Sequence, residues 1–92
     1  MIAYIKLLLR VSSSDLDEEI ESLIAAAKND LVLSGVKAES IDESDALIKR
    51  AIGIYCKAHF GHEQKDYDRL VEAYNSLKSH LSLSVEYGYV VE

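Results

Sequence analysis

The 92-residue chain has no proline, four glycines and a single cysteine, and each scarcity narrows what it can be. Without proline there is no firm helix breaker, so element ends must be read from glycines and capping side chains. Cys56 alone cannot form an intrachain disulfide, which suits a reducing compartment. No apolar run approaches the roughly 20 residues that a membrane-spanning helix needs, so no membrane role is expected. The apolar opening MIAYIKLLLRV is followed by serines and acids, not by a small-residue cleavage site, and cytoplasmic synthesis is expected. Basic charge is also short. Sixteen acids oppose ten bases, and at a formal charge of -6 no global positive field draws in a phosphate backbone.

What remains is an ordinary globular composition, 49% hydrophobic and 28% charged, which argues against disorder. The length fits one domain over residues 1–92, burying about 60–68% of the surface its unfolded form exposes.

Residues 46–63, ALIKRAIGIYCKAHFGHE, dominate the pattern. Leu47, Ile48, Ala51, Ile52, Tyr55, Cys56, His59 and Phe60 recur at steps of three and four, and Ile54 and Ala58 widen the face. A helix apolar over so much of its circumference must be covered on several sides, so it is the central helix. Ile48, Ile52, Tyr55, Cys56 and Phe60 are its expected core residues.

Three further helices are expected around it. In residues 2–10, Ile2, Ile5, Leu8 and Leu9 share a helical face, although a strand through Ile5, Leu7, Leu9 and Val11 competes. After Ser12, Ser13 and Ser14, where either of the last two can cap, residues 15–33 carry Leu16, Ile20, Leu23, Ile24, Ala27 and Leu31 on one stripe. Acids crowd the first turns of that helix, as its dipole favours, and Gly35 is placed to close it. Residues 36–43 read as a loop with Ile41 pointing to the core, and Ser44 or Asp42 as the cap of the central helix. That helix should end near Gly61. A polar turn at 62–65 then makes the fourth helix, residues 66–81, antiparallel to it; one long helix kinked at Gly61 is the alternative. The expected fold is therefore all-α, a small bundle of about four helices with a C-terminal tail at 83–92 that is extended or disordered.

The tail changes period. Val85, Tyr87, Tyr89 and Val91 alternate with Ser84, Glu86, Gly88 and Val90, the pattern of a strand. A lone strand in a helical chain has unpaired backbone groups, so these four residues are candidate contacts to another chain. A loose terminus that packs a tyrosine or two against its own domain is the competing reading.

Chemical sites are poorly supported. Cys56, His59, His62 and His80 can be imagined around zinc, but steps of three rotate about 60° round a helix and Gly61 separates His59 from His62, so a buried thiol and partly exposed imidazoles are expected instead. The acids at 15–21 lack the spaced ligands of a calcium loop, and no serine lies in a nucleophile elbow. No catalytic residue, cofactor or metal is expected. Acids gather at the starts of the second and third helices, whereas Lys49, Arg50, Lys57, Lys65 and Arg69 lie along the later ones. Such a molecule can associate head to tail and close into a ring, although a merely solvated surface is the competing reading.

Three segments, IKLLLRV, DLDEEIESLIAAAKNDL and LIKRAIGIYCKAHFGHE, together resemble the head-tail connector proteins of tailed bacteriophages, small helical adaptors also associated with DNA packaging. The resemblance covers roughly residues 5–63: a short helix ending in Leu-Arg, an acid-led helix with an alanine-rich middle, and a central helix of alanines and aromatics. The proline-containing turn and the closing leucine and arginine segment common in that family are absent. The resemblance implies a virion structural protein at the head-tail junction, not an enzyme. Such a subunit would form a homo-oligomeric ring on the portal protein, extend the DNA channel without sequence-specific binding, and meet the next tail-completion protein. A small cytosolic helical module that binds or regulates a partner is the alternative.

Overall fold

The computed structural model describes residues 1–61 and 65–89 as four helices: α1 (Ile2–Leu9), α2 (Asp17–Leu33), α3 (Ala46–His59) and α4 (Tyr67–Ser82), with one 3-10 turn at Ala38–Ser40. α3 packs against all three other helices. Its Ile48, Ala51, Ile52 and Cys56 are fully buried, and they meet Ile5 of α1, Ile20, Ile24, Ala27 and Leu31 of α2, and Tyr74 and Leu81 of α4. Tyr55 and Phe60 are partly buried against the same cluster, as is Ile41 of the connecting loop. Each fully buried isoleucine is worth about 1.5–3 kcal/mol relative to exposure. The helical reading of α1 holds over the strand reading.

α1 crosses α3 at Gly53. A Cβ there would lie 2.8 Å from Leu8 Cδ1 and 3.2 Å from the Tyr4 ring, so the missing side chain is what lets the two helices approach. Lys49 lies 4.5 Å from the centre of the Tyr4 ring, adding a cation–π contact to the crossing.

α1 and α2 end in the same hydrogen-bonded motif. After α2, the Gly35 amide donates to Val32 (3.1 Å) and the Val36 amide to Leu31 (3.0 Å), with Gly35 left-handed at φ 109°. After α1, the Arg10 amide donates to Leu7 (3.2 Å) and the Val11 amide to Lys6 (3.0 Å), but here the left-handed position, φ 58°, is held by Arg10.

Three local expectations need correction. α2 starts at Asp17, not at residue 15; Leu16 at its N-cap has no side-chain acceptor, and Ser13 accepts the Asp15 amide in a turn outside the helix. The cap of α3 is Asp45, the residue just before Ala46, whose Oδ1 accepts from the amides of Leu47 (2.9 Å) and Ile48 (3.2 Å). Asp42 and Ser44 instead bond to each other one step upstream.

Residues 84–89, where the alternation suggests a strand, form a turn, and Tyr87 packs against its own domain as the competing reading has it. Ser84 supplies local partners: its carbonyl accepts the Gly88 amide (2.7 Å) and its hydroxyl those of Glu86 and Tyr87 (3.1 and 3.4 Å). One antiparallel bridge, Val36 to Gly88, is the sole β pairing among the described residues. Val91 and His62 lie outside the described residues.

Candidate functional site

The tail is seated on its own chain by Tyr87. Its hydroxyl donates to Asp45 Oδ2 (2.8 Å), its carbonyl accepts the Lys37 amide (2.8 Å), and its ring packs against the core. The hydrogen bond from Tyr87, followed by that from the Ile48 amide, holds the Asp45 carboxyl below its ordinary range, and the same bond pushes Tyr87 up to about 12. Val85 and Tyr89 flank this anchor and face solvent, Tyr89 with 65% of its surface exposed.

The tail brings the ends of α2 and α4 together. Gly35 lies against Ser82, where a Cβ would stand 3.4 Å from the serine Cβ, and the Val36–Gly88 bridge follows directly. Leu33 and Leu83, 87% and 71% exposed, and Tyr89 each lie within a few residues of this junction. Large exposed apolar side chains gathered in this way mark a contact surface.

Between α2, α3 and α4 lies a polar, aromatic cleft. Tyr74 donates to Asp30 Oδ2 (2.6 Å) and Lys78 Nζ donates to the same oxygen (3.0 Å). Tyr55 stacks edge-on with Tyr74 and tilts onto His59, which meets Tyr67 at 5.8 Å. These pairs join the end of α3 to the start of α4, while Leu47 and Arg50 share a hollow with Leu77 and His80, so the two helices run antiparallel. Burial raises the Asp30 carboxyl, but the hydrogen bonds from Tyr74 and Lys78 outweigh it and leave the group below its usual range. Burial, and then the bond to Asp30, raises Tyr74. Both shifts move away from neutrality, the reverse of what acid–base catalysis near pH 7 requires. The cluster is suited to clamping α4 onto α2. Asp30 carries a signal in the sequence: a carboxylate in the last turns of α2 opposes the helix dipole and so asks for a cationic or hydrogen-bonding partner.

Of the residues considered around zinc, Cys56 is fully buried, its thiol pushed up to about 11 by burial, whereas His59 and His80 are exposed. Among the described residues no three His, Cys, Asp or Glu side chains are grouped to hold a metal, and no helix is long and apolar enough to cross a membrane.

No curated protein and no solved structure matches the chain. The family model described as "Phage connector protein" matches residues 1–88, all four helices and the tail as far as the glycine that bridges to Val36. A match of that extent joins the expected short helix, acid-led helix and central helix to the fourth helix and its tail: the chain belongs to the phage connector protein family, structural proteins of the phage head-tail region.

Proposed function

We propose that this chain is a head-tail connector subunit that assembles as a homo-oligomeric ring on the portal protein, extends the DNA channel and receives the next tail-completion protein. The family match over residues 1–88 carries this reading. Two physical features support it. A subunit at formal charge -6 lets DNA slide past without adhesion, because like charges repel and no sequence-reading surface is needed. The exposed Leu33, Leu83 and Tyr89 offer apolar surface to a neighbour, with Val85 beside them.

In this reading residues 1–92 act as one helical domain, synthesised in the bacterial cytoplasm and carried into the virion. The protein works by contact. Tyr87 fixes the tail while Val85 and Tyr89 turn outward to a neighbouring subunit or the portal, and Val91 continues the same segment.

The test is quantitative mass spectrometry of purified phage particles against their portal protein. A copy number comparable to the portal's is expected. Absence from complete, infectious particles would remove the reading.

A further inference from the structure

The cations of this chain are unevenly used. Lys6, Lys28, Arg69 and Lys78 each pair with a carboxylate of the same chain. Arg50 and Lys57, both exposed on α3, have no ion-pair partner among the described residues. They stand seven residues apart, two turns along one stripe. Two adjoining hollows that share Arg50 and Ile54 make a groove along this stripe, bordered by Tyr4 and Leu8 of α1 on one side and by α4 on the other. Its apolar floor continues to Leu47, 44% exposed.

The outward face of α2 has the opposite character. Glu18 and Glu21 are exposed with no ion-pair partner among the described residues, Ala25 is exposed in the next turn, and Val32 and Leu33 project at the far end. This face is turned away from the Ile20, Ile24, Ala27 and Leu31 stripe that α2 buries.

The two faces lie on opposite sides of the molecule. α3 meets α2 along Ile48, Ile52, Tyr55 and His59, the last two lining the cleft with Asp30. Arg50 is two residues from both isoleucines, about 160° round the helix. The α2 surface and the Arg50 groove thus cannot satisfy each other within one chain.

We propose that the Arg50–Lys57 groove receives the outward face of α2 from a second copy of this chain, and that the ring closes through these two faces. The proposal rests on the connector reading and names the interface that reading needs. The lengths agree. Glu21 to Val32 spans about 16 Å of helix and Lys57 to Leu47 about 15 Å. Laid antiparallel, Glu21 meets Lys57 at one end while Val32 covers Leu47 at the other. The small Ala25 falls over Ile54 in the middle of the groove, where a bulky residue would hold the helices apart. Contact between two different faces on opposite sides repeats from copy to copy, as a closed ring requires. The apolar end supplies burial, and the charged end sets direction and register.

Native mass spectrometry of the full-length protein at low ionic strength tests this, with circular dichroism to confirm that the exposed substitutions leave the helices intact. The wild type should form rings. An Arg50→Glu/Lys57→Glu variant and a Glu18→Lys/Glu21→Lys variant should each assemble at least about tenfold more weakly. Mixed one to one, the two variants should assemble again as alternating heteromers, because each then meets the charge it lacks. Rings from either variant alone at wild-type strength would overturn the assignment of these faces while leaving the ring standing, as would failure of the folded variants to reassemble on mixing. A wild type that stays monomeric at every concentration would overturn the ring itself.

Discussion

The Tyr87 hydroxyl and the α3 amides share one carboxylate: Asp45 Oδ2 accepts from Tyr87 at 2.8 Å while Oδ1 accepts from Leu47 and Ile48. The C-terminal tail is therefore tied to the start of the central helix. Whatever moves the tail also alters the environment of that cap.

Tyr87→Phe should lower the melting temperature only within a window of pH. The Asp45 carboxyl is depressed in the folded state, so its contribution is complete above the unfolded carboxylate value, 3.8, and is lost as pH falls through the lower folded value. Tyr87 is raised, so its contribution is complete below the ordinary tyrosine value, 10.0, and is lost as pH rises toward about 12. Melting wild type and variant in parallel should show a constant gap near neutrality that closes at both extremes. A gap independent of pH would show that the bond to Asp45 is not its source.

Gly88→Ala should release the tail without unfolding the bundle. A Cβ at Gly88 would lie 2.0 Å from the carbonyl oxygen of Ser82, a backbone atom that cannot swing aside. The Lys37 amide, which donates to Tyr87, should then lose its protection in hydrogen exchange. The α2 and α3 amides should keep theirs.

Arg10→Gly and Gly35→Ala should have opposite effects, because both positions occupy the left-handed region at the end of a helix. A non-glycine residue pays about 1–2 kcal/mol there, partly offset by the greater freedom of glycine in the unfolded chain. Arg10→Gly should stabilise the protein by about 0.5–1 kcal/mol, and Gly35→Ala should destabilise it by about 1 kcal/mol. Urea denaturation of the two variants checks both signs.

Tyr74→Phe should cost about 1 kcal/mol, since Asp30 keeps Lys78 but loses its other donor. The Asp30 carboxyl is depressed in the folded state, so what it contributes is present above the unfolded value and disappears as pH falls through the folded one. With one donor gone its folded value should rise. Acid unfolding, followed by circular dichroism, should begin at a higher pH than in the wild type.

Local pattern explains which parts of this fold were legible. The stripe Ile20, Ile24, Ala27 and Leu31 and the closing Gly35 are visible within one stretch of chain, and the structure buries the first four and turns the glycine left-handed. The breadth of the apolar face from Ile48 to Cys56 likewise announces a helix covered on several sides. The tail misleads for the same reason. Alternation from Ser84 to Tyr89 is a correct description of polarity, but Ser84 closes a turn on the following amides and Gly88 fits where no side chain would.

The sequence by itself determined four helices, the central place of α3 and the acidic surface, because periodicity and charge depend on residues a few positions apart. Its short helix, acid-led helix and central helix also pointed to the connector family. Only the tertiary structure decided that the capping carboxylate of Asp45 also holds Tyr87, that Asp30 takes Tyr74 and Lys78, and that Gly53 admits Leu8. These partners are separated by more than 40 residues along the chain, and a hydrophobic stripe states that a face is buried without stating against what. That choice belongs to the packing of all four helices at once, where shape and hydrogen bonding select among faces that the local pattern leaves equivalent.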